Sequence, residues 1–255
     1  MAEDNAIGVT ENRVDVKQAA AKAEAQPQPA AAKPARKIRA PKAAPEKVAY
    51  SAAPTNKPLL FNKYSFDVEV ADLSLRNQIN LKAVAYPVSY GRLSQKSFAK
   101  ASMNIIERLE NSLMRGGTGG KIGGHVIRTE GRLQGRKMKV TKIIENAFDI
   151  ISKQNGKNPI QVLIRALENS APIEDTTRVV YGGITSNVAV DISASRRLDI
   201  ALRNVAMATI INAFKNKRTL AQALANEMIL ASNMDINSYA IKRKNEIERM
   251  ARSAK

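Results

Sequence analysis

From about residue 101 onward the hydrophobic positions recur with helical spacing. In SMNIIERLENSLM, Ile106, Leu109 and Leu113 follow i, i+3, i+7 and predict a first helix. Val140, Ile143, Ile144, Ala147 and Ile151 predict a second, which stops at the C-cap pair Asn155-Gly156. Asn158 then N-caps a third helix with Pro159 at its first position. Its stripe is Ile160, Leu163, Ile164 and Leu167, and Pro172 lies beyond its end. The period then changes to two. RVVYGGITSNVAVDI, Arg178–Ile192, alternates about Gly182-Gly183 and reads as a hairpin with a primed turn. Val179 and Tyr181 share a face with Ile184, Ser186, Val188 and Val190. A two-stranded ribbon is marginal alone, so this apolar face is expected to rest on the next helix near its base.

That next helix, SRRLDIALRNVAMATIINAF, is apolar nearly all round past Leu198 and is placed at the centre of a bundle. Thr219 and Gln222 form a capping-box pair for a fifth helix with Leu220, Leu224, Met228 and Ala231 on one face. The sixth, SYAIKRKNEIERMARSAK, has sparse apolar contacts at Ile241, Met250 and Ala251. Its Lys242, Arg243 and Lys244 cannot all face inward, so at least two reach solvent or a partner. The predicted class is mainly α: about six helices, one protruding two-stranded β-hairpin and a long disordered N-terminal extension.

Composition sets that extension apart. Residues 1–58 carry seven of the ten prolines, interleaved with Ala and Lys, and cannot build a core. Its charge is graded: residues 1–24 hold five acids and three bases, residues 33–58 seven bases and one acid. Residues 59–100 are richer in aromatics and are expected to be extended chain with short turns, anchored by Phe61, Tyr64 and Phe66. The helical domain then spans 101–255, with a Gly/Arg-rich loop at 115–139 and the hairpin at 176–191.

Charge changes the picture of partners. The 255 residues carry 41 Lys and Arg against 23 Asp and Glu, a net +18. Such an excess points to nucleic acid before an anionic membrane. No apolar run approaches the ~20 residues of a membrane span. A cytoplasmic protein is expected. Cysteine is absent, which excludes disulfides, thiolate nucleophiles and Cys-ligated zinc. His125 is the one histidine and sits in a glycine-rich loop. The loop GGTGGKIGG has Arg115 and Ile122 where a phosphate-binding Walker loop needs Gly and Ser or Thr. No enzyme activity, metal, cofactor or small-molecule substrate is expected.

The chemistry that is present is cationic. Eight of the thirteen glycines lie between 116 and 135. Eight bases, Arg115, Lys121, Arg128, Arg132, Arg136, Lys137, Lys139 and Lys142, lie across 115–142 with Glu130 the one acid. Glycine permits close backbone approach and Arg binds phosphate bidentately. Arg196, Arg197 and Arg203 open the central helix, where cations oppose the macrodipole. Lys215, Lys217 and Arg218 form a third cluster. Aromatics do not interleave with the basic runs, which favours folded, backbone-presenting RNA over threaded single strands.

The stretches IIERLENSLMR, KIIENAFDIISKQNGKNPIQVLIRALENSAP, EDTTRVVYGGIT, VAVDISASRR and NSYAIKRKNEIERMARSAK are long and collinear, within a resemblance that runs from about Leu60 to Lys255, about three quarters of the chain. They resemble the small-subunit ribosomal protein S-seven family in its archaeal and eukaryotic branch, the archaeal members most. The resemblance implies a helical bundle with a protruding hairpin. It implies binding to the 3′ major domain of small-subunit rRNA and nucleation of subunit-head assembly. It also places the chain beside ribosomal protein S-eleven, near exit-site tRNA and mRNA. It implicates Arg92, Lys96, Lys100, Arg115, Lys121, Arg178, Arg196, Arg197 and Arg203 in rRNA contact, and puts the hairpin tip, Tyr181, Gly182, Gly183 and Ile184, near tRNA and mRNA. To these the basic loop adds Arg128, Arg132, Arg136, Lys137 and Lys139, and the last helix Lys242, Arg243 and Lys244. The chain departs from the family pattern in its long connecting loop, and in Val180, Ser186 and Asn187 standing where many relatives carry Arg. The alternative from another class is a helix-turn-helix DNA regulator, which needs a base-reading recognition helix; here the most basic segments are loops and termini.

Overall fold

The computed structural model describes residues 58–91, 96–121 and 126–255. Expectations for 1–57, Arg92 and His125 therefore lie outside the described residues. The helices are α1 (Leu73–Arg76), α2 (Ile105–Arg115), α3 (Lys137–Asn155), α4 (Pro159–Ser170), α5 (Ala194–Ala213), α6 (Leu220–Ser232) and α7 (Tyr239–Ser253). A 3-10 turn, Ala99–Ser102, precedes α2, and strands β1 (Glu174–Tyr181) and β2 (Ile184–Asp191) form the hairpin. The six helices expected from spacing are α2–α7; the single turn α1 lies within the arm read as extended.

Local chemistry explains the helix boundaries. Asn104 and Asn158 accept backbone N–H bonds at the starts of α2 and α4, and Pro159 occupies the first position of α4. Gly156 ends α3 in the left-handed region. Thr219 and Gln222 complete a reciprocal capping box on α6. The N-terminus of α7 is served from another helix: buried Glu227 of α6 accepts from Ser238 Oγ at 2.7 Å and from the Ala240 N–H at 3.0 Å. One carboxylate thereby satisfies two donors at the positive end of a helix.

The predicted stripes form the core. Ile106, Leu109, Leu113, Ile144, Ile151, Leu163, Leu167, Leu224 and Met228 are all buried in one cluster. α5 packs against α1, α2, α4, α6 and α7, and α6 against α3, α4, α5 and α7, so the two share the centre. The exception among predicted contacts is Met250, which is exposed, while Ile241 and Ala251 are buried. Met250 directly precedes Ala251, and neighbouring residues on a helix point about 100° apart.

The arm is strapped over α3 and α4. Phe61 is buried against Phe148 (ring centroids 6.4 Å) and Tyr86 (5.7 Å). Tyr64 packs edge-on against Phe148 and donates to Asp149 at 2.7 Å. Asn158 donates to the Ser65 carbonyl at 2.8 Å, and the Gln161 amide pairs with both backbone groups of Glu69 at 2.9 Å. Glu168 accepts from the Ala71 and Asp72 N–H groups. Helix side chains here do what a second strand would do for an extended segment.

The hairpin turns at Gly182-Gly183, with φ of 57° and 82°, and pairs Tyr181 with Ile184 and Glu174 with Asp191. β1 starts at Glu174, two residues before the expected 176, directly after the Pro172-Ile173 exit from α4. Its base is held by α7 and the residues just after it: Glu248 of α7 accepts from the Ile173 N–H, and Lys255 pairs with Glu174 at 2.6 Å. The apolar face therefore does not rest on α5 as expected; α5 contributes the Arg196–Asp175 ion pair at 3.5 Å. Val179, Tyr181, Ile184, Val188 and Val190 remain 40–87% exposed, because the ribbon projects beyond the end of the bundle.

Candidate nucleic-acid interface

Where α2 leads into the glycine-rich loop it faces α5, from Ser195 to Ile210, across a groove of about 760 Å³. Lys100, Arg108, Arg115, Arg196 and Arg203 line it, with Asp199 the one acid. Five cations from two segments about ninety residues apart thus share one concavity. The i, i+7 spacing of Arg196 and Arg203 puts both on the groove side of α5, and both are exposed.

Asp199 organises the floor. It accepts from Arg108 at 2.8 Å and from Lys100 at 2.5 Å. Burial works to raise its pKa, but those two hydrogen bonds and charges outweigh it and hold the carboxyl below its ordinary value. Arg108 is 3% exposed and donates also to the Gln78 carbonyl at 3.0 Å; its buried Nε has no partner among the described residues.

The glycines at the rim have two roles. A Cβ on Gly117, at φ 78°, would lie 2.9 Å from the Ile127 carbonyl oxygen, where Thr118 and Ile127 tie the loop back on itself. The backbone there is used for an internal approach. Gly119 and Gly120 have open space around them, and Gly119 presents its backbone to the groove.

Arg197, grouped with Arg196 by sequence, is buried and turned inward. It donates to the Pro172 carbonyl at 3.1 Å, to Asp72 at 2.9 Å and to Ser74 Oγ. It ties the arm, the end of α4 and α5 together. Lys137 lies in the first turn of α3 and bonds Glu107 at 2.7 Å; Lys137 and Lys139 are thus helical, since α3 begins within the stretch read as a 115–139 loop. For Glu107, burial acts upward but the bonds from Lys137 and Ser89 win, so its pKa is lowered. The neighbouring Glu110 is fully buried; one oxygen accepts from Thr141, the other has only the Lys137 ammonium at 3.9 Å, and burial pushes the carboxyl up to about 7.

The remaining candidates are dispersed. Lys96, Lys121, Arg128, Arg132, Arg136 and Lys139 are exposed around the loop and its approaches. Arg178 lies exposed on β1, opposite Asn187. Lys242 and Arg243 are exposed on α7, and Lys244 bonds the Asn169 carbonyl at 2.9 Å, locking α7 to α4. Sequence reasoning missed Arg108 and Asp199. The available signal was Arg108 at i+3 from Ile105, a charged residue on the core-facing side of α2.

Fold and groove define a class: a helix bundle with a projecting hairpin that gathers cations along one concave face. Among the described residues no cluster of His, Cys, Asp or Glu could hold a metal ion. No described helix is long and apolar enough to cross a membrane. The family model described as Ribosomal protein S7p/S5e matches residues 75–255, and the chain belongs to that family, whose members are structural and not catalytic. It is 42% identical to the small ribosomal subunit protein uS7 of Cenarchaeum symbiosum over 204 residues, 80% of this chain and 100% of the relative. It is 46% identical to the uS7 of Methanococcus aeolicus over 198 residues, 77% and 98% of the two chains.

Proposed function

We propose that this chain, a structural constituent of the small ribosomal subunit, binds the 3′ major domain of its rRNA through the α2–α5 groove and helps nucleate the subunit head. Its place of work is the ribosome in the cytoplasm. The observation that carries this reading is the convergence of Arg115, Arg196 and Arg203, with Lys100, in one groove. A folded RNA junction presents phosphates at fixed positions, and the packing of α2 against α5 brings these cations to one surface that can meet them. The hairpin tip, free of charge, extends toward exit-site tRNA and mRNA and contacts them by shape. S-eleven and other head proteins are the proposed protein neighbours.

Binding of the full chain to a 3′ major-domain transcript, measured between about 50 and 200 mM salt, tests the groove. Arg115→Ala and Arg203→Ala are each expected to reduce the slope of log affinity against log salt by about one. Unchanged slopes in both variants remove the groove from the interface.

A further inference from the structure

A second concavity lies on the far side of the glycine-rich loop, between residues 127–133 and the junction of α5 with α6. Its volume is about 320 Å³, within the ~300–1,000 Å³ range of sites that take a small organic group. Buried Ile127 and Leu133 and the end of α5 form its floor, and Phe214, 39% exposed, forms an aromatic wall. Arg128 and Arg132 line its loop side, and Lys215, next to Phe214 but not in the lining, holds its Nζ over the Phe214 ring, 5.5 Å from the centre.

Glu130 is the feature that phosphate neutralisation does not explain. It is the one acid among the eight bases of 115–142, and it lines this cavity. It sits between Arg128 and Arg132, yet its carboxylate has no hydrogen bond or ion pair among the described residues. It occupies the tip of a tight turn closed by the Arg132 N–H to the Thr129 carbonyl at 2.8 Å. Its φ is 47°, a conformation a non-glycine residue adopts at a cost in stability. A lone carboxylate would weaken a surface that served only to attract phosphate.

We propose that this pocket takes one unstacked guanine of the RNA, stacked on Phe214 and read by Glu130. The two carboxylate oxygens match the adjacent N1–H and N2–H donors of guanine. Uracil flanks its one ring donor with carbonyls, adenine offers one amino group, and cytosine sets an acceptor beside its amino group, so each pairs less well. Arg128, Arg132 and Lys215 take the phosphates on either side of the extruded nucleotide, and stacking on an aromatic ring is the usual way a protein holds such a base. The inference rests on the rRNA-binding reading and adds base recognition, which phosphate contacts cannot give.

The test uses the full chain and four labelled heptaribonucleotides, each with G, A, C or U at the centre of six uridines, followed by fluorescence anisotropy. The G-centred heptamer is expected to bind about 10-fold more tightly than the all-uridine one. Glu130→Ala should abolish that preference while leaving all-uridine affinity within about twofold; Phe214→Leu should weaken all four. Unchanged melting temperatures confirm intact folds, and because Glu130 is exposed its variant remains informative if the Phe214 variant unfolds. Four heptamers binding within twofold of one another overturn the proposal, as does a G preference that survives Glu130→Ala. Binding to the 3′ major-domain transcript is measured in parallel. A chain that binds the transcript but does not discriminate heptamers loses only the pocket; a chain that binds neither loses the rRNA reading as well.

Discussion

Arg196 and Arg197 are adjacent in sequence and opposite in role. Arg196 reaches solvent and makes one exposed ion pair with Asp175 at 3.5 Å. Such pairs contribute under about 1 kcal/mol, so Arg196→Ala is expected to leave the melting temperature nearly unchanged while weakening RNA binding. Arg197 is buried, and its removal leaves the Pro172 carbonyl without this donor and the Asp72 carboxylate without its counter-charge. Hydrogen bonds to charged groups are worth about 1.5–3 kcal/mol, so Arg197→Ala should lower folding stability by about 2–3 kcal/mol in denaturant titrations. Equal stability losses for the two variants would refute this division. The pair was legible as basic; which member faced inward was not, because that depends on Pro172 and Asp72, contributed by segments 25 and 125 residues away.

At the scale of elements, the hairpin illustrates what alternation can and cannot specify. The turn at Gly182-Gly183 and the cross-strand register follow from glycine's access to positive φ and from a side-chain period of two. The partner of its apolar face does not follow, since alternation says that a face is apolar and not what covers it. α7 flanks the base and most of the face stays exposed. Removing Val180–Thr185 is therefore expected to cost about 1 kcal/mol or less in folding stability, because few buried contacts are lost. It should lower exit-site tRNA occupancy on reconstituted subunits. A shortened chain that assembles and holds tRNA as the full one does would rule out the tip as a contact.

For the whole molecule, the carboxylates that answer its positive charge determine how stability varies with pH. Asp72, Glu107, Asp149 and Asp199 have pKa values lowered in the fold, so the stability they contribute is present above their unfolded pKa and lost as pH falls through the folded one. Glu110 has the opposite sign. Its folded pKa of about 7 lies above the ordinary 4.5, so the native state binds the extra proton and stability falls as pH rises from about 4.5 to about 7. Glu110→Gln keeps the acceptor for Thr141 and removes the buried charge. It is expected to be about 1–3 kcal/mol more stable than the natural chain at pH 8, with the gap narrowing towards pH 5, since one pKa unit is ~1.4 kcal/mol. Thermal melts at both pH values check the sign; a gap that does not change with pH refutes it.

The sequence alone determined the six main helices, most of their caps, the hairpin turn and the basic character of the chain. Asn158-Pro159, Asn155-Gly156 and Thr219–Gln222 act within a few residues, and apolar stripes repeat along a single element. Tertiary structure decided which cations converge. Arg115 and Arg203 line one groove because α2 and α5 pack side by side, and Arg108 and Asp199 stand between them for the same reason. Packing also withdrew Arg197 and Lys137 into the fold and left Glu130 facing a cavity. Charge in a sequence is a local property; the direction a charge faces is set by contacts between segments distant in the chain, which no short-range pattern encodes.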